Sequence, residues 1–75
     1  MPTAPLLERD AVLAAAEAHG YPTIAELADA VGVHRISMYR ALSPTAPRSP
    51  SARMLQGLAH ALADTDLRTL LRDVA

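Results

Sequence analysis

Glycine and proline residues divide this sequence of 75 residues into short segments, which limits the chain to small structural elements. Within each segment the apolar residues recur at the three-to-four-residue spacing of a helix face. No alternation of apolar and polar residues persists for long enough to form a half-buried strand. The sequence therefore predicts an all-α fold, a compact bundle of four to five short helices.

The first two helices are predicted from the residues at their ends. The first covers about residues 6–19 and ends at Gly20. The second begins at Thr23, which together with Glu26 fits a capping box. Gly32 ends it because glycine adopts a left-handed backbone conformation at little cost. The predicted apolar faces are Leu7, Ala11, Ala14, Ala15 and Ala18 in the first helix, and Ile24, Leu27, Ala28 and Val31 in the second.

A sharp turn and a proline-rich loop bound the third helix. This helix is predicted at residues 34–42, after a turn of only two residues, and that spacing is typical of a helix-turn-helix. Residues 43–50 hold three prolines and are predicted to form an ordered loop. Ser49 is predicted to cap the fourth helix, with Pro50 at its first position. The apolar face of the fourth helix is Met54, Leu55, Leu58, Ala61 and Leu62.

A fifth helix is predicted at about residues 65–74, starting at Asp64 or Thr65. Its apolar side is Leu67, Leu70, Leu71 and Val74. If the first four helices already close a bundle, this side is surplus and is predicted to form a homodimer across a two-fold axis. The alternative is a helix that folds back onto its own core. We expect residues 1–75 to form a single domain in either case.

The sequence lacks the patterns of an enzyme, a metal centre or a membrane protein. It contains no cysteine, and His19, His34 and His60 are too scattered to ligate a metal. It has no nucleophile elbow, phosphate-binding glycine loop or pair of catalytic carboxylates, so we expect neither catalysis nor a cofactor. No apolar run approaches ~18 residues, and the first residues carry no basic group. We therefore expect a soluble, cytoplasmic protein without a membrane partner.

Positive charge is concentrated in the middle of the chain. The net charge is -1, but residues 31–63, the acid-free stretch, hold four arginines and no acid, whereas residues 1–30 hold one arginine and five acids. There is no lysine, so each fixed positive charge is a guanidinium that can bind phosphate or guanine through two hydrogen bonds. The alternative interpretation is ordinary variation of a solvated surface. The arginines of the acid-free stretch are Arg35, Arg40, Arg48 and Arg53.

The run from Ile24 to Leu42, IAELADAVGVHRISMYRAL, resembles the helix-turn-helix of Cro-like and lambda-repressor-like (XRE-type) regulators and of related antitoxins. A small residue allows the two helices to approach, a glycine makes the turn, and two apolar residues pack the second helix on the first. These residues are Ala28, Gly32, Val33 and Met38. The following loop and helix also fit, so that the resemblance covers residues 24–62.

The stretch from Gly20-Tyr21 through Met38-Tyr39-Arg40 also looks like the DNA-reading segment of TetR-type repressors. TetR-type repressors continue into a large ligand-binding domain, which the 33 residues after Leu42 cannot supply. Both resemblances imply that the chain binds DNA.

The XRE-type resemblance implies that the helix at 34–42 enters the major groove of DNA. Helical geometry then turns Met38, Ala41 and Leu42 inward. The predicted base contacts on the outer side are Arg35, Ile36, Tyr39 and Arg40. Arg35 is expected to bind the O6 and N7 atoms of a guanine. Ile36 either contacts a thymine methyl group or belongs to the core. Tyr39 is either a DNA contact or an aromatic at the core edge, and Arg40 reaches either a base or the backbone.

The resemblance also implies contacts with the phosphate backbone of DNA. Arg48 and Arg53 flank the expected start of the fourth helix, where free amides and the helix dipole favour anions. His34 stands where the family usually has a serine or threonine cap, and it is a weaker cap that is free to meet a phosphate. The predicted phosphate contacts are Thr23, His34, Arg48, Ser49 and Arg53.

Together these features predict a sequence-specific DNA-binding transcriptional regulator, most simply a repressor. As a homodimer it would place two recognition helices ~34 Å apart on a palindromic operator. The alternative is a protein-interaction module, such as an antitoxin that masks a toxin or another partner protein. The acidic first 30 residues would suit a basic partner.

Overall fold

The computed structural model describes residues 5–73 of the chain. Its elements, in chain order, are β1 (Pro5–Leu7), α1 (Arg9–Ala18), α2 (Ile24–Val31), α3 (Arg35–Ala41), α4 (Ala52–Ala61), α5 (Leu67–Leu70) and β2 (Leu71–Asp73). Most of this length is helical, so the predicted all-α fold class is confirmed. The sequence did not predict the small sheet, in which β1 pairs with β2 in antiparallel register.

The helix α2 lies at the centre of the fold because it packs against both α3 and α4. Its predicted ends are confirmed. The Thr23 hydroxyl accepts a hydrogen bond from the Glu26 amide at 3.1 Å, and Gly32 is left-handed with φ of 83°. The Val33 amide then donates to the Ala28 carbonyl at 3.1 Å, which fixes the tight turn into α3. The predicted inner face is also confirmed, since Leu27, Ala28 and Val31 are buried and Ile24 packs at the core edge.

The contact between α2 and α4 depends on a glycine that the sequence did not single out. Gly57 lies in the middle of α4, where its missing side chain makes room for the last turn of α2. A Cβ atom there would overlap the Val31 carbonyl oxygen and lie 2.6 Å from Val31 Cγ1. The closeness of these two helices therefore requires glycine at this position.

The first helix begins later than predicted. Residues 6–8 were expected to be helical, but Leu6 and Leu7 lie in β1 and α1 starts at Arg9. The cause is pairing with the far end of the chain, in which Leu7 lies opposite Leu71. The predicted stripe of α1 was also wrong in part. Ala14 and Ala18 are exposed, and the buried residues of the helix are Val12 and Ala16.

The last helix contributes to the core of its own chain. Four helices were predicted to close the bundle and leave the fifth apolar side surplus, yet Leu70 is only 1% exposed. Leu67 and Leu71 pack against the same core, and Val74 lies outside the described residues. The helix is shorter than predicted, begins after an Asp66 cap, and runs directly into β2. Leu70 is therefore a core residue, as the alternative of a fifth helix folded back onto its own core predicts.

A single apolar core joins all five helices. Its buried members are Leu7, Val12, Ala16, Leu27, Ala28, Val31, Met38, Ala41, Leu42, Met54, Leu58, Leu62 and Leu70. None of the helices in the described part of the chain is both long and apolar enough to cross a lipid bilayer.

We expect Gly57→Ala to lower the free energy of unfolding by about 1–2 kcal/mol net. The new methyl group forces α2 and α4 apart, at a cost near the upper end of the roughly 1–3 kcal/mol typical of overpacking, and the better helix propensity of alanine offsets roughly 1 kcal/mol of it. Urea denaturation followed by circular dichroism measures it. The control is Gln56→Ala on the exposed side of the same helix, expected to change the free energy by less than about 0.5 kcal/mol. A Gly57→Ala variant as stable as the control would contradict the close contact.

Candidate nucleic-acid interface

The outer face of α3 carries the residues that the sequence predicted there. Arg35, Ile36, Tyr39 and Arg40 are exposed, whereas Met38, Ala41 and Leu42 are buried. Ile36 and Tyr39 are 52% and 51% exposed, so the alternatives that assigned them to the core or its edge are wrong. Two large apolar side chains thus lie in solvent between two arginines.

The amino-terminal end of α3 is capped by a histidine. His34 Nδ1 accepts a hydrogen bond from the Ile36 amide at 3.3 Å, and the rest of its side chain is exposed. This end of α3 borders a shallow cleft of about 560 Å³. Arg35 and Asp29 both line this cleft, which places one acid near the first arginine. Arg35 therefore shares this cleft with a carboxylate of α2.

A groove separates α3 from the start of α4, and we call it the α3–α4 groove. It consists of two neighbouring clefts of about 360 and 220 Å³. Ser37, Ser51 and Met54 line both clefts and so form the boundary between them. The polar residues that line only the first cleft are His34 and Arg53. Those that line only the second cleft are Arg40, Arg48 and Ser49. Three arginines from two helices and one loop therefore converge on one groove.

The loop that carries Arg48 is ordered by its own hydrogen bonds, as predicted. The Arg48 amide donates to the Arg40 carbonyl at 3.1 Å, which ties the loop to the end of α3. At the other end of the loop, the Ser43 hydroxyl accepts from the Ala46 amide at 3.1 Å. These bonds hold Arg48 beside Arg40 rather than leaving it on a free segment.

The predicted cap of α4 was two residues too early. Ser49 was expected to cap the helix, but it lies in the loop and Pro50 precedes the helix. The cap is Ser51, whose hydroxyl accepts a hydrogen bond from the Met54 amide at 3.1 Å. The helix therefore begins at Ala52 instead of Pro50.

Two other residues change the predicted set of phosphate contacts. Thr23 is exposed and caps α2, but it does not line the α3–α4 groove. Ser37 lines both clefts and was missed by sequence reasoning. Its spacing could have revealed it, because His34, Ser37 and Arg40 follow one another at three-residue intervals along one side of a helix.

The charges of the surface are separated by element. The acid-free stretch supplies α3, the loop and α4, so the groove walls contain no carboxylate. The exposed acids of α1 and α2 are Asp10, Glu17, Glu26 and Asp29. Within residues 5–73, no three acids or histidines lie close enough together to hold a metal ion. The groove is therefore suited to an anion with several negative groups.

No protein-family model, curated protein or solved structure matches the chain.

We expect Ser51→Ala to lower the free energy of unfolding by about 1 kcal/mol, because it removes the side-chain acceptor at the start of α4. Ser49→Ala is the matched control, since Ser49 lies in the loop and should change stability by less than about 0.5 kcal/mol. Thermal unfolding of both variants measures the difference. Equal losses, or a larger loss for Ser49→Ala, would contradict the assignment of the cap.

Proposed function

We propose that this chain is a cytoplasmic, sequence-specific DNA-binding regulator that acts as a repressor by occupying a promoter. The observation that carries the proposal is the convergence of four exposed guanidinium groups on the outer face of α3 and the adjoining α3–α4 groove. DNA presents a regular row of phosphates beside a groove of base edges, and this surface offers charges beside an exposed helix.

The amino-terminal half of α3 is assigned to the bases. Arg35 lies in the first turn of the helix, which enters the major groove most deeply in helix-turn-helix complexes. Its guanidinium can bind both acceptors of a guanine. Ile36 is the neighbouring exposed apolar side chain and fits the methyl group of a thymine. Tyr39 lies one turn further along and is assigned to a base edge or the adjoining sugar.

The α3–α4 groove is assigned to the phosphate backbone. Arg40 shares its cleft with Arg48 and Ser49, which favours a phosphate contact for Arg40 over a base contact. Arg53 and His34 face the neighbouring cleft, and Ser37 lies at the boundary. Successive phosphates of one strand would then pass along the groove while Arg35 and Ile36 reach the bases.

Dimerisation is the second part of the proposal. Four arginines in one chain make few phosphate contacts, whereas two chains double them and steepen the salt dependence. The interface includes Leu67 and Leu71, which pack only at the edge of the core. Leu70 is excluded from this role because it is buried in its own chain. Two copies would place two α3 helices ~34 Å apart on a palindromic site.

A second candidate function is a protein-interaction module, such as an antitoxin bound to a basic partner. The observation that favours it is the exposure of the acids on α1 and α2, none of which lines the α3–α4 groove. Selection of bound fragments from random DNA distinguishes the two candidates. A regulator enriches one sequence, whereas a module that has lost DNA binding enriches none.

For the DNA-binding proposal we expect Arg35→Ala and Arg48→Ala to fail in different ways. Arg35→Ala should lose about 1–3 kcal/mol of preference for the enriched sequence over shuffled DNA, because it removes a base contact. Arg48→Ala should weaken binding to both duplexes equally and lower the slope of log K against log salt by about two for the dimer, because it removes one phosphate contact per chain. Competition gel shifts at several salt concentrations measure both quantities.

The matched control for these variants is Arg68→Ala, an exposed arginine on α5 outside the acid-free stretch. It removes the same charge and should change neither the preference nor the slope. Identical behaviour of Arg35→Ala and Arg48→Ala would show that the assignment of bases to α3 and phosphates to the groove is wrong.

For the dimer we expect the enriched sequence to be palindromic, with half-site centres about 10 base pairs apart. Sedimentation equilibrium should then find two chains on the full duplex and one on a single half-site. One chain on the full duplex would rule out the paired arrangement.

A further inference from the structure

Arg9 makes a contact that neither the sequence pattern nor the proposed interface uses. It is the only lysine or arginine in the first 34 residues and lies between two acids, Glu8 and Asp10. Its Nη1 donates a hydrogen bond to the Leu42 carbonyl at 2.6 Å, across 33 residues of sequence. Leu42 is the C-cap residue of α3. The side chain at the start of α1 therefore binds the end of the proposed recognition helix.

The main chain around Arg9 is itself anchored. The Glu8 amide donates to the Leu70 carbonyl at 2.6 Å, and the Val12 amide donates back to Glu8 at 2.9 Å as α1 begins. Arg9 is therefore attached through its neighbour to α5 and through its guanidinium to α3. Arg9 thereby connects α5, which runs into β2, to α3, which carries the proposed DNA surface.

The end of α3 needs such a partner for a physical reason. The last carbonyl groups of a helix have no partner within the helix and carry partial negative charge, so a cation there is favourable. The Arg40 carbonyl is bonded by the Arg48 amide, and the Leu42 carbonyl is bonded by Arg9. With only seven residues, α3 is also too short to be stable alone. The orientation of α3 is therefore set by its contacts with residues outside the helix, and the hydrogen bond from Arg9 is one of them.

We propose that Arg9 is a positioning residue: it holds the carboxyl-terminal end of α3 so that Arg35 and Ile36 meet the bases in register. This inference rests on the proposed DNA-binding function. Arg9 is half-buried and its guanidinium is engaged with Leu42, so its effect on DNA is transmitted through α3. Loss of the contact lets α3 tilt, which costs base recognition because that requires exact register. The long side chains of Arg40, Arg48 and Arg53 keep their positive charges at the groove, so the number of phosphate contacts is retained.

The test compares binding to the enriched duplex with binding to a shuffled duplex of the same composition, well below the unfolding midpoint of every variant. Arg9→Met keeps much of the aliphatic stem and removes the donor. We expect its selectivity between the two duplexes to fall about tenfold, because a displaced α3 loses part of its base contacts, with an unchanged salt slope. Arg9→Lys should recover part of the selectivity, because its ammonium group can still donate. Arg68→Met removes the same charge elsewhere and should leave the selectivity intact.

Amide hydrogen exchange on the free protein supplies a readout that does not involve DNA. Arg9→Met should speed exchange of the Leu42 amide, which closes the last turn of α3, relative to the Gly32 amide at the end of α2. Equal changes at both amides would mean general destabilisation and would overturn the specific hold on α3.

The outcomes separate this inference from the function on which it rests. Unchanged selectivity in Arg9→Met, or a salt slope lower by about two for the dimer, would overturn the positioning role, because the second result is that of one direct phosphate contact per chain. In both cases the DNA-binding proposal would stand. If the wild-type protein enriches no sequence, the proposed function and the positioning role fail together.

Discussion

The close contact between α2 and α4 is the constraint on which the rest of the structure depends. Gly57 lets the last turn of α2 lie directly against α4, and α2 at the same time packs against α3. The distance between α3 and the start of α4, and with it the width of the α3–α4 groove, follows from this shared neighbour. Because interiors are close-packed, one additional methyl group in this contact would move both walls of the groove.

Pairing between the first and last described segments of the chain stabilises a core that is small. The core is built almost entirely from aliphatic residues, and the sequence offers only two aromatic residues and no cysteine to strengthen it. Pairing of β1 with β2 and burial of Leu70 bring the last segment onto the first helix. The same pairing places Arg9 at the end of α3, so that stability and the orientation of the proposed recognition helix are connected.

Positive charge is concentrated locally despite a net charge of -1. Arg40, Arg48 and Arg53 meet at the α3–α4 groove, whose lining contains no carboxylate, whereas Arg35 shares its cleft with Asp29 of α2. Arginines at a groove without carboxylates attract a polyanion there, so local charge rather than the sum governs the partner. The exposed Ile36 and Tyr39 lie on α3 between Arg35 and Arg40, where the bases of the proposed DNA would cover them.

Local signals in the sequence determined the helices from α2 to α4, the capped start of α2, the left-handed Gly32 and the inward turn of Met38. Each of these depends on residues within one or two helical turns, and short-range sterics and hydrogen bonds act at that distance. Tertiary structure alone decided the pairing of Leu7 with Leu71, the burial of Leu70 in its own chain, and the bond from Arg9 to Leu42. The reason is that each of these depends on groups brought together from distant parts of the chain or on the packing of whole helices, which no spacing along the sequence encodes.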